Sequence, residues 1–184
     1  MDNGESAYRR FLDGDEAAFS LVMEIYKNNL IFFINRYVRN FAVAEEISED
    51  VFVELLIHKR RYNFKTPLKT YLFTIARNKA VSFVRKASRG KEYPYEFIES
   101  ESTGTDIEDD FIKKEQFAQL HRALEKLSTD YRTVLHLIYF EDMSNGEAAS
   151  VMKKNKKQIE NLVYRAKAAL KKEYEKEANC REKL

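Results

Sequence analysis

Eleven lysines and arginines, and no acidic residue, lie between His58 and Lys91. They are Lys59, Arg60, Arg61, Lys65, Lys69, Arg77, Lys79, Arg85, Lys86, Arg89 and Lys91. Tyr62, Phe64, Leu68, Tyr71, Leu72, Phe73, Ile75, Val81, Phe83 and Val84 are threaded through them. A solvated basic tail lacks such an apolar payload. Cations and aromatic rings on one ordered element suit a phosphate backbone and unstacked bases. Nucleic acid is therefore the first partner to consider.

A second basic stretch, 153–184, carries a net charge of +6, against +11 for 58–91 and +2 for the whole chain. The rest is acidic, so two cationic surfaces sit on an anionic body and imply two phosphate-binding sites. Five carboxylates and no basic residue stand between Val43 and Ile57: Glu45, Glu46, Glu49, Asp50 and Glu54. At helical spacing Glu46, Glu49 and Asp50 share a face, which opens the possibility of a nuclease using Glu45, Glu46, Glu49 and Asp50 with a metal. No histidine or carboxylate pair elsewhere joins them, so that reading stands last. Cys180 is the only cysteine, which rules out an intramolecular disulfide and a cysteine-based metal site. His58, His121 and His136 lack zinc-ligand spacing and read as surface or interface histidines. No cofactor or metal is expected. The N-terminus MDNGESAYRR has no apolar signal region and no apolar run approaches ~18 residues, so a cytoplasmic protein without membrane insertion is expected.

Five glycines and two prolines among 184 residues suit helices joined by short loops. Phe19, Val22, Met23, Tyr26, Leu30, Phe33, Ile34, Tyr37 and Val38 predict one long helix over 15–39. A second helix is expected from about Ala42 to Arg60, with Val43, Ile47, Val51 (or Phe52), Leu55 and Leu56 inward. Its acidic start and basic end match the helix dipole. After the loop RYNFKT, Pro67 opens a third helix over 68–86, where proline costs nothing.

Residues 88–107 break every periodicity, and charge is wholly acidic from Glu92 to Asp110. The expected organisation is all-α, with a helical domain 1–88, an acidic flexible linker 89–107 and a second helical domain 108–184. In the second domain Phe117, Leu120, Leu124 and Leu127 mark a helix ending near Leu127, and Ser128 or Thr129 caps the next. Ser144 and Glu147 make a capping box for the short helix NGEAASVM. The turn KKN then leads into a last helix with Ile159, Leu162, Val163, Ala166 and Leu170 inward. These two helices have the dimensions of a helix-turn-helix, with Ala148 and Ala149 at the crossing. The outer face of the second carries Lys156, Lys157, Glu160, Asn161, Tyr164, Arg165 and Lys167. A solvated face would look similar, but lysines at a helix N-terminus oppose the dipole and bring folding no benefit, which favours DNA.

AEEISEDVFVELL, TPLKTYLFTIARNKAVSFVRK and VLHLIYFEDMSNGEAASVMKKNKKQIENLVYRAKAAL occur in this order around the acidic linker. Together they resemble an extracytoplasmic-function RNA polymerase sigma factor, the first two blocks its region 2 and the third its region 4. The resemblance implies that Glu46, Glu49 and Asp50 dock on the β′ coiled coil of core RNA polymerase, and that region 4 meets the β flap. It implies capture of the minus-10 element by Asn63, Phe64, Tyr71, Ile75, Ala76 and Asn78, with Arg77, Lys79, Arg85 and Lys86 on phosphates. It implies minus-35 reading by Lys156, Lys157, Glu160, Asn161, Tyr164 and Arg165, and an anti-sigma factor as a further partner. Tyr71 stands where the family commonly has tryptophan, Lys153 where glycine is frequent, and Glu160 where a basic residue is frequent. The expected function is promoter-specific transcription initiation without bond chemistry. The alternative is a self-sufficient helix-turn-helix regulator with an N-terminal sensor or dimerisation domain.

Overall fold

The computed structural model describes residues 3–89 and 118–181, with the side chains of the last helix described as far as Glu177. Apart from its first residue, the expected linker lies outside the described residues, as does Phe117. Every regular element described is helical.

The first half contains α1 (Asn3–Leu12), α2 (Ala18–Val38), α3 (Phe41–Ile57), a 3-10 turn (Lys59–Arg61) and α4 (Leu68–Ala87). The long helix expected over 15–39 is α2. It ends at Arg39, whose left-handed backbone (φ 52°) places its N–H on the Asn35 carbonyl. Asn40 caps α3 by accepting a hydrogen bond from Val43 N at 3.1 Å. Pro67 stands immediately before α4. The apolar faces of α2, α3 and α4 converge on Val22, Leu30, Phe33, Ile34, Val51, Leu55, Leu72 and Phe73. Both Val51 and Phe52 are inward.

The helix α1 was not anticipated. It buries Ala7, Tyr8 and Phe11 against α2, and the Tyr8 hydroxyl donates to the Lys59 carbonyl at 3.1 Å. A β-carbon at Gly4 would lie 2.3 Å from the Tyr26 hydroxyl, so the close approach of α1 to α2 requires glycine there.

The second half contains α5 (118–125), α6 (Thr129–Tyr139), α7 (Asn145–Met152) and α8 (Lys156–Arg181). Ser128 caps α6. The capping box of α7 forms as expected: Ser144 Oγ accepts from Glu147 N, and the Glu147 carboxylate accepts from Ser144 N at 2.8 Å. Ile159 and Ala166 are fully buried on the inner side of α8, and Ala148 lets α7 cross it closely. Arg122 and Lys126 both pair with Glu177, which ties α5 to the far end of α8.

The halves pack on one another, α2 against α6 and α4 against α7.

Candidate nucleic-acid and polymerase interface

Three surfaces gather the residues singled out in the sequence. The first is the outer face of α3, where Glu46, Glu49 and Asp50 are exposed in one strip that continues through Val53 and Ile57. Lysines hold its flanks. Lys27 pairs with Glu45 at 3.2 Å and Glu49 at 3.9 Å, and Lys79 with Asp50 at 3.6 Å and Glu54 at 3.3 Å. Exposed pairs of this kind contribute about 0–1 kcal/mol each, so a partner can exchange them cheaply. Among the described residues no group of three or more His, Cys, Asp or Glu side chains is placed to hold a metal ion.

The second surface is the loop 62–67 with α4. Tyr62 is buried, and its hydroxyl donates to the Thr66 carbonyl at 2.7 Å and lies 3.0 Å from Glu5 Oε2. Asn63 Oδ1 accepts from Lys65 N at 3.1 Å, a local side-chain turn. Phe64 then adopts a left-handed backbone, φ 59°, a strained conformation for an aromatic residue. Its ring lies 4.6 Å from that of Tyr62, which also meets Tyr71 at 5.2 Å. The Arg9 guanidinium covers Phe64 at 3.9 Å and is held by Glu5 at 3.0 Å. Helix α1 thus helps shape the loop through Glu5 and Arg9, neither of which the sequence pattern had marked. Burial, and secondarily Tyr71, pushes the Tyr8 phenol up to about 12.

Along α4 the singled-out residues divide. Asn78, Arg85 and Lys86 are exposed. Ile75 and Ala76 are core residues, 8% and 0% exposed, and neither presents a surface to a base in this arrangement. Lys79 is engaged by Asp50 and Glu54. Arg77 is half-buried beside Tyr37, with Nε enclosed and without a hydrogen bond.

The third surface is the outer face of α8. Lys156, Lys157, Glu160, Asn161, Tyr164 and Arg165 are all exposed and all lie in its first three turns. Two groups position that end. Lys153 leaves α7 in a left-handed conformation (φ 54°, ψ 44°), and its N–H bonds the Ala149 and Ser150 carbonyls. Asn155 and Gln158 then exchange side-chain-to-backbone bonds at 2.8 Å each way, a reciprocal cap for α8. The N-x-x-Q spacing made that cap readable in the sequence. The turn is therefore that of a helix-turn-helix despite the lysine, with its second helix free to enter a groove.

An all-helical chain with an open helix-turn-helix, a basic aromatic helix and a separate acidic docking strip is a multi-part transcription factor that binds DNA. Residues 22–90 match the profile described as Sigma-70 region 2, and residues 117–170 that described as Sigma-70, region 4. The chain belongs to the sigma-70 family, in its extracytoplasmic-function group, and is a promoter-directing RNA polymerase sigma factor.

It is 25% identical over 181 residues to the RNA polymerase sigma-H factor of Pseudomonas aeruginosa, covering 92% of this chain and 93% of that protein. It is 24% identical over 174 residues to the ECF RNA polymerase sigma factor SigW of Bacillus subtilis, covering 87% and 90%. The fold resembles that of the sigma factor RpoE in its complex with the anti-sigma factor NepR from Bartonella quintana. That match has a TM-score of 0.70 and 21% identity, covering 85% of this chain and 96% of that one. It also resembles CnrH in complex with the cytosolic domain of CnrY, with a TM-score of 0.65, 21% identity and coverage of 92% and 96%. Among the described residues no helix is long and apolar enough to cross a membrane.

Proposed function

We propose that residues 1–88 bind core RNA polymerase and the minus-10 element, that 89–107 link, and that 108–184 read the minus-35 element. The observation that carries this is the open face of α8 together with the separate acidic strip on α3. Glu46, Glu49 and Asp50 dock on the β′ coiled coil, and the second half meets the β flap. Asn63, Phe64, Tyr71 and Asn78 receive an extruded base, with Ile75 and Ala76 supporting that pocket from the core. Arg77, Lys79, Arg85 and Lys86 hold the backbone, two of them after leaving their present protein contacts. Extruding a base costs a few kcal/mol, so a preshaped aromatic loop and neutralised phosphates are what strand opening requires.

The protein works in the cytoplasm, performs no bond chemistry itself and is held in check by an anti-sigma factor. The family resemblance and the relative seen with NepR support that last partner. Glu49→Lys with Asp50→Lys is the test of the docking strip. Both side chains are exposed, so stability should change by about 0.5 kcal/mol or less, whereas like charges at an interface cost several kcal/mol. Titration against core polymerase should show a large loss of affinity at unchanged helicity. Unchanged affinity removes the strip from the interface.

A further inference from the structure

Phe64 is held by residues that its own loop does not supply. A non-glycine residue persists with φ at 59° only where its surroundings over-determine it. Within the loop, only the Tyr62 ring at 4.6 Å meets it. The other two groups around it, the Tyr8 ring at 6.5 Å and the Arg9 guanidinium at 3.9 Å, both come from α1. Tyr8 is fully buried, and its hydroxyl donates to the Lys59 carbonyl at 3.1 Å and reaches the Leu55 carbonyl at 3.4 Å. Phe11, one turn on, packs on Phe19 at 4.9 Å. Helix α1 is therefore a fixed arm, and what it carries over the loop is fixed with it.

Glu5 completes the arrangement from one turn earlier. Its Oε1 lies 3.0 Å from Arg9 Nη2, while its Oε2 lies 3.0 Å from the Tyr62 hydroxyl. One carboxylate thus holds the cation on Phe64 and meets the ring that Phe64 packs on. An ordinary exposed pair one helical turn apart would explain the first contact but not the second, nor the guanidinium on the ring. The Glu5 side chain is only 16% exposed, against 44% for Arg9. A cation already matched by a carboxylate has little charge left for a phosphate. The effect of Arg9 must then run through the ring beneath it.

We propose that Arg9 and Glu5 are positioning residues of the minus-10 reader: Arg9 clamps Phe64 in the orientation that receives a base, and Glu5 aims Arg9. The inference rests on reading the loop 62–67 as the segment that takes the extruded base. Stacking on an aromatic face rewards a ring that is already in place, because ordering it at the moment of capture subtracts from the gain.

The test uses the full chain assembled with core RNA polymerase. The probe is a promoter recovered by mapping the RNA 5′ ends this holoenzyme makes on genomic fragments, with each base pair of its minus-10 block replaced in turn. Arg9→Ala should slow open-complex formation roughly two- to fivefold, the worth of an exposed cation–ring contact. The loss should be largest on the unaltered block, so that discrimination shrinks at the captured base and nowhere else. Glu5→Ala should act in the same direction, and Arg9→Lys, which keeps a cation over the ring, should restore most of the rate. In a Phe64→Ala background, Arg9→Ala should cost nothing further, and it should leave the salt slope unchanged. Helicity and melting of each variant, read alongside, separate these effects from unfolding. An unchanged or faster rate with Arg9→Ala overturns the proposal. So does a loss that persists in the Phe64→Ala background with the salt slope lower by about one, which would make Arg9 a phosphate contact. Phe64→Ala without any loss would sink the reading of the loop itself, and the brace with it.

Discussion

Lys153 holds the turn between α7 and α8 in a backbone conformation that suits glycine, φ 54° and ψ 44°. A residue with a β-carbon stands there at a cost of about 1–2 kcal/mol. Lys153→Gly removes that cost but loosens the unfolded chain, which offsets about 0.4–1 kcal/mol. The N–H bonds to the Ala149 and Ser150 carbonyls are main-chain and survive the change. The net expectation is a gain of about 0.5–1 kcal/mol, or about 2–8 °C in Tm for a cooperative unit of 60–100 residues. Lys153→Ala is the control, because it deletes the amine and keeps the β-carbon. It should stay within about 0.5 kcal/mol of the starting protein, as exposed substitutions do. Thermal unfolding followed by circular dichroism separates the two. If Lys153→Gly melts no higher than Lys153→Ala, the turn is not strained and the reasoning fails.

Asn161→Ala or Arg165→Ala should cost on the order of 1–3 kcal/mol on the matched minus-35 duplex and shrink its advantage over scrambled DNA, read by titration with the full chain. Lys157→Ala should weaken both duplexes alike and lower the salt slope by about one if it meets a phosphate. Asn78→Ala should impair open-complex formation on duplex promoters more than on templates already mismatched at minus-10, since a premelted template needs no unstacking; equal losses would point to lost backbone contact.

Helices α2, α3, α4, α6, α7 and α8 were legible because each shows apolar residues at helical spacing, and three carry readable caps or a start signal in Ser128, Ser144 and Pro67. Helix α1 escaped because its ten residues contain three buried apolar side chains, and its closeness to α2 depends on Gly4 meeting Tyr26. The outer face of α8 was legible for the same periodic reason. The loop 62–67 was legible in part: its aromatics were visible, but the Glu5–Arg9 brace over Phe64 was not, because it arrives from a distant segment. Arg77 and Lys79 looked like free cations, whereas packing turns one inward and neighbouring carboxylates engage the other. The polar contacts between the halves were invisible altogether: Asn29 and Glu141 stand 112 positions apart, and no local pattern distinguishes either from a solvated side chain.

The central claim is tested most directly by transcription from fragmented genomic DNA with core RNA polymerase, with and without this protein, and mapping of every RNA 5′ end. The account predicts a new set of start sites that appears only with the protein. Upstream of them should stand two short shared sequence blocks at near-constant spacing, and Asn78→Ala and Asn161→Ala should each deplete the set. Folded protein that binds core enzyme yet yields no new start sites, or new sites without shared upstream blocks, would contradict it.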